Sequence, residues 1–253
     1  MAGQVTSAAE ELAGLIAASD RVVALTGAGV SVPSGIPDFR TPGKGLWAKV
    51  DPMAVATIDA FHGDTKRFWD FYRPRFHDLA DKEPNPAHTV LAELERRGRL
   101  DAVITQNIDR LHRKAGSEDV IEVHGSIATA SCTSCGESYR LDEVESLFDA
   151  DGVATCKGCA GKVKPDVVLF GEFLPADAMA RAEHLCSSAD LLLCIGSSLE
   201  VHPVASLPGL TLAHGGRIAI VTRSSTPYDS DAAVRLDGDV AEELQAVLAR
   251  LDG

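Results

Sequence analysis

The sequence predicts an α/β fold in which a parallel sheet is doubly wound with helices. Three observations predict it. Short β-branched apolar runs recur along the chain, helical stretches separate them, and the first run ends in a Gly-x-Gly turn. The runs are Val22–Thr26, Ala102–Thr105, Val120–Val123, Leu191–Ile195 and Ile218–Val221, with Val234–Leu236 as a weaker sixth. Apolar runs this short and this continuous suit strands buried on both faces of a parallel sheet.

The helices are justified by period and caps. Ser7-x-x-Glu10 forms a capping-box pattern ahead of Leu12, Leu15 and Ile16, which share one face. "PAHTVLAELERRG" spaces Val90, Leu91 and Leu94 helically and stops at Gly98. "DVAEELQAVLARL" begins at Asp239 and gathers Val240, Leu244, Val247, Leu248 and Leu251 on one face. Strands alternating with such helices imply the doubly wound arrangement. Two segments break the alternation. Residues 41–85, rich in aromatic and turn residues ("GLWAKVDP", "RFWDFYRPRF"), are expected to form a helical insertion, and residues 130–162 hold a cysteine cluster.

Charge and composition narrow the function. A formal charge of -13 over 253 residues argues against sequence-independent nucleic-acid binding, which needs a basic surface, and suits basic protein substrates. The N-terminus lacks the basic start and apolar core of a signal peptide, and no apolar run approaches the ~20 residues of a membrane span. A cytoplasmic protein is expected. Disulfides are then disfavoured, and the six cysteines need another explanation.

Four of them form two Cys-x-x-Cys pairs, Cys132/Cys135 and Cys156/Cys159, with twenty residues (136–155) between the pairs. Two such knuckles close a tetrahedral thiolate site, and this spacing points to a zinc ribbon rather than to redox cysteines. A four-sulfur site has no open position, so the zinc is expected to be structural. Cys186 and Cys194 lie in apolar contexts and are read as small core residues.

The turn after the first strand, "GAGVSVPSGIPDFR" (residues 27–40), is a weak dinucleotide signal taken alone. Glycine admits close backbone approach to a pyrophosphate, but the third glycine is missing. So is the acid that usually ends a second strand ~20 residues on: Asp51 lies in "KVDPM", which is not a strand. An ordinary hydride-transfer site is therefore disfavoured.

Six features occur in order: "GAGVSVPSGIPDFR", "TQNIDRLHRKAG", "EVHGS", the two cysteine pairs, "KPDVVLFGE" and "GSSLEV". In this order the chain, from about Val22 to its end, resembles the sirtuins of bacterial or archaeal type, NAD-dependent protein-lysine deacylases. The resemblance implies a Rossmann-like NAD-binding domain (1–40, 86–129 and 163–253) and a smaller domain. The smaller domain combines a helical module (41–85) with a zinc-ribbon module (130–162), and NAD and acyl-lysine meet in the cleft between the two. NAD is then consumed rather than recycled, giving free lysine, nicotinamide and O-acyl-ADP-ribose, and the expected partners are acylated lysine peptides or proteins, met by a monomer without nucleic acid or membrane.

The resemblance also implies roles. Gly27, Ala28, Gly29 and Ser31 cradle NAD, while Asp38, Phe39 and Arg40 form a lid over the nicotinamide ribose. Gln106 and Asn107 position that ribose; Asp109 and the backbone near Ile108 hold the carboxamide. Gly196, Ser197 and Ser198 serve phosphate or ribose hydroxyls. Thr222 stands where many relatives carry an Asn that holds the adenosine ribose. His124 is the candidate general base, with an ordinary pKa near ~6.5 that suits proton abstraction near neutrality; it would deprotonate the ribose hydroxyl that attacks the alkylamidate intermediate. Val168, Phe170, Gly171 and Glu172 line the peptide groove, where the substrate adds as a strand. His112 and His202 are read as structural or surface residues.

Tyr72-x-x-Arg75 matches the Tyr-x-x-Arg of sirtuins that remove succinyl and malonyl groups. Arginine can fork onto a carboxylate while tyrosine donates a further hydrogen bond. Pro74 between them is expected to disturb the helical turn that would bring them together. Arg110, in place of the glycine usual after "TQNID", is expected to point outward. Two other readings stay open: protein mono-ADP-ribosyl transfer, and NAD sensing without turnover.

Overall fold

A computed structural model describes residues 7–38 and 50–252. The first helix, α1 (Ala8–Ala17), is capped by Ser7, whose Oγ accepts from Glu10 N at 3.3 Å. It leads into β1 (Val22–Thr26), every residue of which is buried. A 3₁₀ turn, Ala28–Ser34, follows. Among the described residues, three helices then build the expected insertion: α2 (Pro52–Val55), α3 (Ile58–Gly63) and α4 (Thr65–Ala80). Asp51 is the N-cap of α2, its Oδ1 accepting from Met53 N, as suits a residue outside any strand.

The alternation resumes with α5 (Pro86–Arg96), which ends before Gly98 at φ +65°, and with β2 (Ala102–Thr105), α6 (Leu111–Lys114) and β3 (Val120–Glu122). The cysteine module contributes β4 (Gly125–Cys132), β5 (Ser138–Arg140) and α7 (Leu141–Val144), and β6 (Val163–Val167) follows it. The chain closes with α8 (Ala176–Ser188), β7 (Leu191–Ile195), α9 (Leu207–Ala213), β8 (Arg217–Val221), β9 (Val234–Leu236) and α10 (Val240–Leu251).

Six strands form one parallel sheet in the order β3-β2-β1-β7-β8-β9. The order reverses between β1 and β7, and in open parallel sheets the crevice beyond the carboxyl ends at such a reversal is the ligand site. One apolar core packs α1, α5 and α10 on one face of this sheet, and a second packs α8 and α9 on the other. Cys186 and Cys194 are buried in the second core, as expected, and burial pushes the Cys186 thiol up to about 12.

A second, antiparallel sheet has the order β5-β4-β6. Its core is shared with the helical insertion: Phe61, Phe68, Trp69 and Phe76 pack with Ile127, Tyr139, Leu147 and Val163, and Trp69 Nε1 donates to Val163 O at 3.2 Å. The expected disturbance at Pro74 does not occur, because α4 runs through it unbroken. Pro74 is exposed and its missing N–H leaves only the carbonyl of exposed Asp70 without a helical donor. Burial of Phe68, Trp69 and Phe76 along the inner face offsets a proline cost of about 3 kcal/mol.

Candidate functional site

Three segments converge where the sheet order reverses. Gly27 N donates to Ile195 O at 3.0 Å, and Gly29 N donates to Gly196 O at 2.8 Å. A Cβ on Gly29 would lie 2.7 Å from Gly196 O, one on Gly27 2.9 Å from Ser197 Cβ, and one on Gly196 (φ +61°) 2.2 Å from Val30 N. These glycines thus let the turns after β1 and β7 touch. Ala28 is half-buried beside them.

The loop after β2 supplies the polar groups. Asn107 Nδ2 donates to Gly27 O (3.2 Å) and to Ser31 Oγ (3.1 Å), and Ser31 Oγ donates to Asp109 Oδ2 at 2.6 Å. Asp109 Oδ1 accepts from Leu111 N at 2.9 Å. Ser31, Asn107 and Asp109 are all buried, and burial raises the Asp109 carboxyl above its ordinary pKa. Each carboxylate oxygen keeps a further lone pair for a ligand. Gln106 Nε2 donates to Ser197 Oγ at 2.9 Å, tying this loop to the turn after β7. Ser198 and Ile108 are half-buried, and the Ile108 carbonyl accepts from Ile127 N.

His124 lies between β3 of the parallel sheet and β4 of the smaller one. Gly125 (φ +74°) makes the change of direction, since a Cβ there would lie 2.0 Å from Asp166 O. His124 Nδ1 is 3.0 Å from Gln106 O. A carbonyl only accepts, so Nδ1 carries the proton and Nε2 keeps its lone pair. Burial lowers the pKa of this ring, partly opposed by the bond to the Gln106 carbonyl. The ring is therefore neutral at physiological pH, with a basic nitrogen that has no hydrogen-bond partner among the described residues.

The segment after β6 is joined to His124 by its backbone: Val168 N donates to His124 O at 2.8 Å. Phe170 N donates to Ala56 O and Ile58 N donates to Phe170 O, clamping the segment to the helical insertion. Gly171 has φ +91°. Glu172 turns back on its own loop, accepting from Leu169 N at 2.8 Å and pairing with Lys164 Nζ at 3.1 Å.

Of the lid residues, Asp38 is half-buried, and Phe39 and Arg40 lie outside the described residues. Thr222 is buried at the end of β8, its Oγ1 3.3 Å from Ser224 Oγ. His202 is exposed and His112 is buried beneath the site, 3.0 Å from Thr26 Oγ1.

The sequence reading passed over His88. Its Nδ1 accepts from Asn85 N, so its Nε2 proton faces Ser31 Oγ at 3.4 Å. Burial holds its pKa at about 4, so it stays neutral and steers the Ser31 hydroxyl proton toward Asp109. The signal was present in "NPAH": an Asn N-cap with a ring three residues on that reaches back to the cap N–H.

Tyr72 and Arg75 lie one turn apart on α4. The Tyr72 ring stacks on Phe76 (5.3 Å between centroids) and leans on Phe68 (4.5 Å), and burial pushes its phenol up to about 12. The neighbouring Arg73 pairs with Glu145 of the cysteine module, as does His77. Arg75 lies over the Phe71 ring at 3.6 Å, donates to the Phe71 carbonyl, and has no carboxylate partner among the described residues.

The four cysteine sulfurs of the two knuckles lie within 4.8 Å of one another, with Cys132–Cys159 at 3.5 Å and Cys135–Cys156 at 3.6 Å. Zinc–sulfur bonds of about 2.3 Å place tetrahedral sulfurs about 3.8 Å apart, so the set fits one zinc ion. Backbone N–H groups of Cys135 and Ser134 lower the pKa of the Cys132 thiol, whereas neighbouring sulfurs raise those of Cys135 and Cys159, so a cation among the four would bring them all to the thiolate form.

Arg110 is exposed as expected, but at φ +66°, the left-handed region that glycine occupies freely. Arg110→Gly is expected to stabilise the protein by about 0.5–1 kcal/mol, after the added unfolded-state entropy is subtracted. Thermal unfolding should show a rise of about 2 °C. An unchanged or lower midpoint would mean that other contacts of the Arg110 side chain outweigh the strain.

The model described as "Sir2 family" matches residues 27–203. The "NAD-dependent protein deacetylase 1" of Pyrobaculum aerophilum is 45% identical over 248 residues, covering 98% of this chain and 96% of that protein. A solved Sir2 structure with a deacetylated p53 peptide and 3'-O-acetyl ADP ribose superposes with a TM-score of 0.90 at 40% identity, covering 95% of this chain and 97% of that one. Another, Sir2Tm bound to a propionylated peptide, gives a TM-score of 0.87 at 39% identity with the same coverage. Fold, motif order and extent of match agree, and the chain belongs to the Sir2 family.

Proposed function

We propose that the protein removes acyl groups from lysine side chains of proteins, consuming NAD and releasing nicotinamide and O-acyl-ADP-ribose. The observation that carries this reading is His124: neutral, protonated on Nδ1, with its basic Nε2 beside the crevice where the sheet order reverses. The relatives' deacetylase activity and the O-acetyl ADP ribose complex support the same chemistry. NAD supplies the ribose carbon that the acyl oxygen attacks and the hydroxyl that later takes the acyl group.

The residues divide the work as follows. Gly27, Ala28, Gly29, Gly196, Ser197, Ser198 and Thr222 bind the dinucleotide along the strand ends. Ser31, Asp109 and the Ile108 backbone hold the carboxamide, with the spare lone pairs of the Asp109 carboxylate as acceptors. Asn107 and Gln106 set the ribose, and Asp38, Phe39 and Arg40 cover it. His124 Nε2 takes the ribose hydroxyl proton. Val168, Phe170, Gly171 and Glu172 line the groove that receives the substrate peptide, which pairs there with the backbone groups not already bonded to His124, Ala56, Ile58 and Leu169. Cys132, Cys135, Cys156 and Cys159 would hold a structural zinc that ties together the zinc-ribbon module (130–162) of the smaller domain, which the helical module (41–85) completes beside the NAD-binding domain (1–40, 86–129 and 163–253). The reading extends to a cytoplasmic monomer without nucleic-acid or membrane partners. The charge of -13 argues against nucleic-acid partners, and among the described residues no helix is long and apolar enough to cross a membrane.

Incubation with NAD and acyl-lysine peptides, followed by mass spectrometry, tests the reaction. Loss of the acyl group with formation of O-acyl-ADP-ribose is expected. ADP-ribose attached to protein would mean transfer to another nucleophile, and NAD binding without either product would mean a sensor.

The acyl preference extends to succinyl and malonyl groups. Arg73 is committed to Glu145, whereas Arg75 lacks a carboxylate and stands one turn from Tyr72. Desuccinylation should exceed deacetylation in kcat/KM. Arg75→Met should reverse the order through a loss of about 10- to 100-fold on succinyl peptides, the worth of charge-assisted hydrogen bonds. Equal effects on both substrates would sink the assignment.

A further inference from the structure

Phe173 is 98% exposed, the most exposed large apolar side chain among the described residues. Its backbone is not a loose tip. Glu172 before it is held by Leu169 N and Lys164, and Leu174 after it packs against the core beneath α8. The ring is thus held in solvent between two anchored residues. Two more exposed apolar residues lie on the backbone joined to it, which together form this rim: Phe170 (48%), three residues earlier across the Leu169–Glu172 turn, and Met53 (64%), whose carbonyl accepts from the hydroxyl of Thr57, the residue bridged to Phe170. A single exposed apolar residue is ordinary, whereas a group of them along one rim marks an interaction surface.

What the rim meets follows from continuity with the site. Val168, at the start of the segment, is bonded to the carbonyl of His124, and Glu172 N donates to Leu169 O to close a turn. Consecutive Cα atoms are about 3.8 Å apart and a turn spans less than about 7 Å, so Phe173 lies no more than about 15 Å from Val168. An extended peptide rises about 3.3 Å per residue. A lysine presented to His124 therefore leaves residues within about four positions of it within reach of this rim.

We propose that Phe173, backed by Phe170 and Met53, selects peptides carrying an apolar or aromatic side chain within four residues of the acyl-lysine. This rests on the deacylase reading above. The occupant is the substrate itself, and the contact removes apolar surface from water only when the peptide is bound.

The test uses acetyl-lysine peptides with Phe, Leu, Ala, Glu or Lys placed in turn at each of four positions on either side, with the full chain and NAD. Phe or Leu at one position should raise kcat/KM about tenfold over Ala, mainly through KM, as burial of a large apolar side chain would. Phe173→Ser should collapse that spread, and Phe173→Leu should restore most of it. Equal kcat/KM across all peptides overturns the selector while leaving the deacylase reading intact. So does a Phe173→Ser variant that keeps the full spread. Sedimentation that shows Phe173→Ser abolishing self-association, with the spread unchanged, assigns the rim to a second copy of the chain instead. If no peptide is turned over, the deacylase reading fails and the selector fails with it.

Discussion

Replacing His124 with asparagine is expected to lower kcat/KM for deacylation by about 10²- to 10⁴-fold, the usual contribution of a positioned general base. NAD affinity and zinc content should be unchanged, because the ring bonds only the Gln106 carbonyl among the described residues. The pH dependence follows from the direction of its pKa shift. The working form is the neutral ring, and burial lowers the pKa below the ordinary 6.5, so protonation needs a more acidic solution than for a free histidine. The acid limb of kcat/KM should therefore lie below pH 6.5, with the activity retained from neutrality down to that limb. In the asparagine variant the limb should disappear. A variant with near-native turnover, or a wild-type limb centred above 6.5, would remove His124 from the role of base.

Loss of the zinc site should have the largest effect on stability. Structural zinc sites contribute about 10–16 kcal/mol of apparent binding free energy at neutral pH in small zinc modules. Here two of the four cysteines, Cys132 and Cys156, are buried in the same core as the aromatic residues of α3 and α4. Cys132→Ser or Cys156→Ser, or exhaustive chelation, should therefore loosen both the β5-β4-β6 sheet and the helical insertion. Metal analysis should give one zinc per chain before treatment. Afterwards, near-ultraviolet circular dichroism from the Phe61, Phe68 and Trp69 cluster should fade and the unfolding midpoint should fall. The parallel sheet has its own two cores and should keep its far-ultraviolet signal. A zinc-free protein with unchanged near-ultraviolet signal and midpoint would show that the metal is not structural.

Much of the fold was legible in sequence. The six buried strands appear within a residue of their expected ends, since a short apolar run surrounded by helix caps has few other ways to be buried. The cysteine tetrad was equally legible, because its spacing is imposed by the metal rather than by the surrounding fold. The part played by α4 was not. Pro74 suggests a broken helix when read locally, and only the packing of Phe68, Trp69 and Phe76 against the second sheet shows why the helix continues. Nor could the sequence show that Trp69 bonds the Val163 carbonyl, ninety-four positions away, and so joins the helical insertion to the β5-β4-β6 sheet.

By itself, the sequence determined the inventory: a glycine turn after an apolar strand, an Asn-Ile-Asp loop, a histidine before a glycine, and four spaced thiols. The tertiary structure decided which atoms of that inventory are free to act. His124 is protonated on Nδ1 because the carbonyl opposite belongs to Gln106 on another strand's loop. Arg75 rather than Arg73 is left without a carboxylate because Glu145 of the cysteine module takes Arg73. Phe173 stands in solvent because both of its neighbours are anchored. For His124 and Arg75 the deciding partner lies outside the local motif. Protonation state, pairing and exposure depend on groups that only the folded chain brings within a few ångströms.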